Sequence, residues 1–285
     1  PPPPPALPPP PPPPPRPVSS SASYVYNRQG VDDVFFVNGV VKEPMKAPQA
    51  LLSRIAEMPA MSTGSRRLIV VMGQLGDFDS VEYAQALAPR LEALRDRGIV
   101  VQAFAIGSDS GAERFCRFTG FPLSQLQVDS RPDLHQALEL QPGLQLPGGP
   151  WPGFLMMCAG IRSPGTLQEV IRGYTGDRSA SQLFADEDRV EAFPLPAFEA
   201  RLFRRAGGSG FLRPFELATQ RLRNMNEVLS NWRTYVPCDD YITQRGGTFL
   251  LEKDDTTLYV HRDSGLLGYS ETMNRPLAFL DPYLD

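Results

Sequence analysis

The chain has 285 residues, 41% hydrophobic and 21% charged, enough apolar material for one large domain or two small ones around a sizeable core. A formal net charge of −4 gives no general pull toward nucleic acid or an anionic membrane, and no run reaches the roughly 18 apolar residues needed to span a bilayer. The three cysteines, Cys116, Cys158 and Cys238, are far apart and odd in number, which argues against a disulfide framework or a zinc site and fits a reducing compartment.

Residues 1–17 contain fourteen prolines, which can form neither helix nor sheet. They are expected to form a polyproline II rod, roughly 3 Å per residue and so about 50 Å if straight. This proline-rich arm is either a linker or a docking arm for an aromatic-lined groove. The first residue is not Met, so an upstream piece is expected, and no signal-peptide pattern is present in the given chain. Residues 18–47 form an extended N-terminal segment, with a short strand at Val34–Val37 before an Asn38-Gly39 turn.

The main domain, 48–285, opens with a helix over Ala50–Met58. A strand over Arg67–Gly73 follows. The next helix, Ser80–Arg97, places Val81, Ala84, Leu87, Leu91 and Leu94 on one face. Asp79 or Ser80 can cap it, Glu82 suits its first turn, and Pro89 should kink it. Then come a strand at Ile99–Ile106, a helix at Ser110–Phe118, a strand at Leu126–Val128 and a helix at Arg131–Leu138. This alternation implies crossover connections and a parallel sheet core.

Residues 141–153 are a Gly- and Pro-rich loop, Phe154–Ala159 reads as a strand, and Thr166–Tyr174 as a short helix or turn. An insertion at about 177–233 follows. Its first part, 177–199, carries six acids against two arginines; 201–233 carries seven arginines against Glu216 and Glu227. Within it Phe215–Trp232 reads as a helix with Leu222, Met225 and Leu229 on one side. Gly207-Gly208-Ser209-Gly210 reads as a linker, lacking the strand and lysine of a phosphate loop. The chain closes with a β-hairpin, Gly247–Leu251 and Leu258–Val260 around Glu252–Thr257. The fold class is therefore α/β, with a central mixed sheet, helices on both faces and a C-terminal β-hairpin.

Four stretches carry a family likeness: Leu68-Ile-Val-Val-Met-Gly-Gln-Leu-Gly-Asp-Phe-Asp-Ser80; Ala112-Glu-Arg-Phe-Cys-Arg-Phe-Thr-Gly-Phe-Pro122, running to Asp129; Ile171-Arg-Gly-Tyr-Thr-Gly-Asp177; and Gln244-Arg-Gly-Gly-Thr-Phe-Leu-Leu251 with Tyr259-Val-His-Arg-Asp263. In these the chain resembles the AhpC/TSA-like, peroxiredoxin-like family, in particular its cyanobacterial and plastid branch. The resemblance implies a thioredoxin-like fold and, after the first core strand, a turn reading Gly-Cys-Pro-x-Cys or a close variant. This chain reads Gly76-Asp77-Phe78-Asp79-Ser80 there, so the usual CxxC is missing. Asp77 stands for the first cysteine and Ser80 for the second. A carboxylate does not attack peroxide, and a hydroxyl needs a base that neither His135 nor His261 evidently supplies. The degenerate turn of Asp77, Asp79 and Ser80 is read as a helix start that complements the dipole.

Three further candidates remain. Cys116, beside Phe115 and Phe118, is read as a core thiol or a relocated reactive one, and Cys158 as core. Cys238 is the best accessible thiol, although the acids after it oppose a thiolate. His261 either pairs with Asp263 or faces solvent. Arg201, Arg204, Arg205, Arg213 and Trp232 are partner-binding candidates, unless the acids of 177–199 satisfy the arginines within the chain. No cofactor, metal or nucleic acid is expected. The expected function is that of a non-catalytic binding protein, an accessory or assembly subunit of a larger protein complex, such as a photosystem or other thylakoid assembly. It would be peripheral to the membrane, in the chloroplast stroma or cyanobacterial cytoplasm. The alternative is an atypical thiol peroxidase or oxidoreductase using Cys116 or Cys238.

Overall fold

The computed structural model describes residues 45–58 and 65–284, and upstream of them the backbone of three short strands: β1 (Tyr24–Val25), β2 (Phe35–Val37) and β3 (Val40–Lys42). The polyproline run and the Asn38-Gly39 turn lie outside the described residues. The chain continues through α1 (Gln49–Ala56), β4 (Arg66–Gln74), α2 (Phe78–Leu87), α3 (Leu91–Asp96), β5 (Ile99–Ile106), α4 (Asp109–Thr119), β6 (Leu126–Asp129) and α5 (Asp133–Ala137). Next come α6 (Pro150–Cys158), α7 (Thr166–Thr175), β7 (Arg189–Val190), β8 (Phe198–Glu199) and α8 (Arg201–Gly207). It ends with α9 (Glu216–Ser230), α10 (Trp232–Tyr235), β9 (Gly247–Leu251), β10 (Thr257–Arg262) and α11 (Asp281–Leu284).

The main sheet runs in the order β3-β2-β1-β10-β9-β4-β5-β6. Strands β4, β5 and β6 are parallel, while β9 returns antiparallel to β4 and β10 antiparallel to β9. These five central strands, with helices on both faces and the β9–β10 hairpin, form the thioredoxin-like arrangement. Strand β4 explains the layering. Successive side chains point to opposite faces. Leu68, Val70 and Met72 join the larger core beneath α2, α3 and α4, whereas Ile69 and Val71 join the core beneath α1 and α5. A strand covered on both sides reads as an unbroken apolar run rather than an alternating one.

Local signals act as elementary chemistry requires. Ser108 caps α4, its hydroxyl accepting from the Gly111 N–H at 3.2 Å, and Gly120 ends that helix at φ 77°, a left-handed conformation open to glycine. Pro89 breaks the expected long helix. The stretch divides into α2, a single 3₁₀ turn over Ala88–Arg90, and α3.

One element differs in type. The apolar run Phe154–Ala159, expected as a strand, forms the second half of helix α6 to Cys158, with Ala159 as its C-cap. Phe, Leu, Met and Cys fill it with no β-branched residue, and Pro150 sits at the first helical position, where its missing N–H is harmless. Thr166–Thr175 forms a full helix. In the 177–233 region, α9 packs against α7 and α2 of the main body. The small β7–β8 ribbon and α8 close their own cluster around Val190, Ala200 and Phe203.

The strands share one functional edge. β4 ends at Gln74 beside the start of β9, since Val71 pairs with Gly247. Gly247 in turn pairs with Arg262 at the end of β10. α2 begins at this edge.

Candidate functional site

The turn after β4 delivers Asp77 to the N-cap position of α2, with φ −73° and ψ 143°. Its side chain makes no cap hydrogen bond. Instead the carboxylate faces Arg245, whose Nη1 lies 2.9 Å from Asp77 Oδ2 and 3.1 Å from Asp79 Oδ2. Arg245 is fully buried and also donates through Nε to the Thr243 carbonyl at 2.9 Å. The expectation that Asp79 or Ser80 caps the helix is thus corrected. Both lie inside α2, and buried Ser80 has no hydrogen-bond partner for its hydroxyl.

A third carboxyl completes the cluster. Asp263 is buried just past β10, its N–H donating to the Gly246 carbonyl at 3.1 Å. His261 is buried too, so its solvent-facing reading falls. Its Nε2 donates to the Gly268 carbonyl at 2.9 Å and lies 3.5 Å from Asp263 Oδ1. His135, on α5, donates from Nε2 to the Met72 carbonyl at 2.7 Å, and burial lowers its basicity. Close approach is built into the backbone here. A Cβ on Gly73 would stand 2.7 Å from the Gln244 carbonyl oxygen and 2.8 Å from Asp77 Oδ2.

The electrostatics follow from three carboxyls around one guanidinium in a dry setting. Burial raises the Asp77 carboxyl, and Arg245 pulls it back only in part. Asp79 is pushed well above the ordinary range, by burial first and then by the charge of Asp77. Burial lifts Asp263 to about 6 against the opposing pull of His261 and Arg245. For Arg245 burial works against the charge, but Asp77, Asp79 and Asp263 outweigh it and hold the guanidinium protonated. The arrangement sets three carboxyls with raised pKa around one charged guanidinium. It presents no nucleophilic sulfur at the head of α2.

The thiols stand elsewhere. Cys116 is buried on α4, and burial pushes it up to about 11. Cys158, on α6, is partly buried and packs against a small core of Leu144, Met157 and Leu266. It comes near enough to the turn for the Asp77 charge to add to burial in raising its pKa. Cys238 is partly buried, and its carbonyl accepts from Gln74 Nε2 at 2.7 Å. Among the described residues no group of three or more His, Cys, Asp or Glu side chains is placed to hold a metal ion, and no helix is long and apolar enough to cross a membrane.

The arginine candidates separate. Arg213 is fully buried, held by Glu216 at 2.9 Å and Asp186 at 2.6 Å, and offers no surface to a partner. Arg204 and Arg201 are exposed but paired within the chain, to Asp186 and Glu199. Three of the arginines of 201–233 therefore meet acids of 177–199 internally, whereas Arg221 pairs with Glu82 and Glu169 and Arg233 with Asp239. Arg205 is exposed. Trp232 lies in α10 and packs on Trp151 with ring centroids 5.4 Å apart.

Sequence reasoning missed Arg245 and Asp263 as members of the site. The only signal was their presence in stretches that carried the family likeness.

A family model described as AhpC/TSA antioxidant enzyme matches residues 86–265, more than half of the chain. The match begins in the second half of α2, after the Asp77–Ser80 turn. No curated protein and no solved structure gave a significant match.

Proposed function

Since the chain belongs to the AhpC/TSA antioxidant-enzyme family, we propose that it keeps the family's thioredoxin-like frame as a binding scaffold and acts as an accessory or assembly subunit of a larger protein complex. One observation carries this reading. Where the resemblance expects an activated thiolate, Asp77 is locked in a buried ion pair with Arg245. A thiolate draws its reactivity from the helix N-terminus and nearby cations. Here the cation is already engaged by carboxylates, and burial and Asp77 together work against thiolate at Cys158. The proposed setting, a chloroplast stroma or cyanobacterial cytoplasm beside a photosynthetic membrane complex, rests on the sequence likeness alone.

The test is co-purification. Native extracts are fractionated by size with the tagged full chain and with a version carrying serine at all three cysteine positions. The reading expects both to travel in the same high-mass fraction. If neither leaves the monomer position, or only the cysteine-containing chain does, the scaffold reading fails.

A second reading has one observation in its favour. The Cys238 backbone is held against Gln74 at the end of β4, so this thiol sits near the turn. An atypical thiol enzyme would use Cys238 before Cys116, whose burial disfavours thiolate.

A further inference from the structure

Beside the head of α2 lies an aromatic surface. Phe78 stacks on Phe154 with centroids 6.3 Å apart, Trp151 meets Phe154 edge-on at 6.0 Å, and Trp232 lies 5.4 Å from Trp151. Trp151 is 39% exposed, and Leu155 and Met156 extend the apolar patch. Asp239 fixes both indoles, accepting from Trp151 Nε1 and Trp232 Nε1 at 3.2 Å each. The N–H groups are taken, so the ring faces are what the surface has to offer. Its neighbour Asp240 is exposed and has no ion-pair partner among the described residues.

We propose that this patch is a polyproline-binding surface and that its occupant is the chain's own residues 8–17, docked in cis. Three observations converge. The first is chemistry. Residues 8–15 are all proline, and pyrrolidine rings of a polyproline II helix pack on aromatic faces at little entropic cost. The second is charge. Arg16 is the one charged residue of the arm, and Asp240 stands beside the indoles to receive it. The third is topology. Tyr24 pairs with Val260, two residues before β10 ends at Arg262, so β1 begins near the edge where α2 starts. From β1 to β4 is three strand steps, roughly 14 Å. The six intervening residues 18–23 reach up to roughly 20 Å, and ten residues of polyproline II add about 31 Å. The arm is thus long enough to lie along the patch and cover the surface next to the Asp77 turn.

The chain reports on this directly, because its two tryptophans are both in the patch. The experiment measures acrylamide quenching of tryptophan emission in the full chain and in a full-length variant with Pro8 to Pro15 replaced by alternating Gly and Ser. Quenching is expected to rise about twofold in the variant as the indole faces open. Synthetic decaproline added to the variant should reverse the rise. Asp240→Arg should also open the rings, and combining it with Arg16→Asp should close them again. Protection in the native chain should not change with protein concentration. Equal quenching in the native chain and the proline-replaced variant overturns the proposal, as does an inert decaproline. Protection that grows with concentration also overturns it, assigning the surface to a second copy's arm.

Discussion

Arg245 and Asp77 meet as buried partners 2.9 Å apart at the head of α2, although 167 residues separate them in sequence (245 minus 77, less one). The same guanidinium nitrogen reaches Asp79, and its electrostatic reach extends to Asp263. A buried pair of this kind is weak evidence for net stability, but its rupture exposes the full penalty of desolvated charge.

Replacing Arg245 by Leu removes the guanidinium that three buried carboxyls share and leaves Asp77 and Asp79 without a counter-charge. Near neutral pH the expected loss is roughly 3–5 kcal/mol by urea denaturation. The deficit should shrink as the pH falls and the carboxyls, all raised by burial, take up protons. A loss independent of pH would mean that Arg245 serves only to fill space.

The two acids of the turn should differ. A helix cap alone is worth about 1 kcal/mol. Asp77→Ala should lose more, roughly 3 kcal/mol, because it unpairs Arg245. Asp79→Asn should be milder than Asp77→Asn, since burial and the Asp77 charge push Asp79 further toward its neutral form than burial pushes Asp77. Thermal melts of the three variants check the order.

Stability should fall as pH rises from about 4 to about 6. The Asp263 carboxyl moves from 3.8 to about 6 on folding, so in that window the folded state binds more protons than the unfolded one. Asp79 acts in the same direction. Asp254, held down at about 2 by Thr256 and Lys46, acts oppositely and only below about pH 4. The stability–pH profile of Asp263→Asn should be flatter between the two limits.

Gly73→Ala should destabilise by roughly 1–3 kcal/mol, because the added methyl meets the rigid Gln244 carbonyl as well as Asp77. A melt no different from the native chain would show that the β4 turn has slack.

In a native thiol titration Cys116 should remain unmodified until the chain unfolds, given its burial and a pKa near 11. Mass mapping of the labelled peptides distinguishes it from Cys158 and Cys238.

Much of the frame was legible from local pattern. The unbroken run Leu68–Met72 and the helical spacing of Val81, Ala84 and Leu87 are signatures of single elements, and both stand where the sequence puts them. Phe154–Cys158 misled because an apolar run of that length suits a strand or a buried helix equally, and only its lack of β-branching spoke for the helix. The site was half legible. Asp77 and Asp79 could be found by the turn they occupy. Arg245 and Asp263 could not, because what makes them partners is the β9–β10 hairpin folding beside β4. Arg213 shows the converse: an arginine in a basic stretch reads as surface until Asp186 and Glu216 close over it.

The central claim is that the head of α2 holds an ion pair in place of a redox thiol. It is tested most directly by hydroperoxide consumption with thioredoxin and its reductase as electron donors, comparing the full chain with its cysteine-free version. The account predicts identical rates, both at the background without protein. Saturable turnover by the native chain that disappears on Cys238→Ser or Cys116→Ser would contradict it.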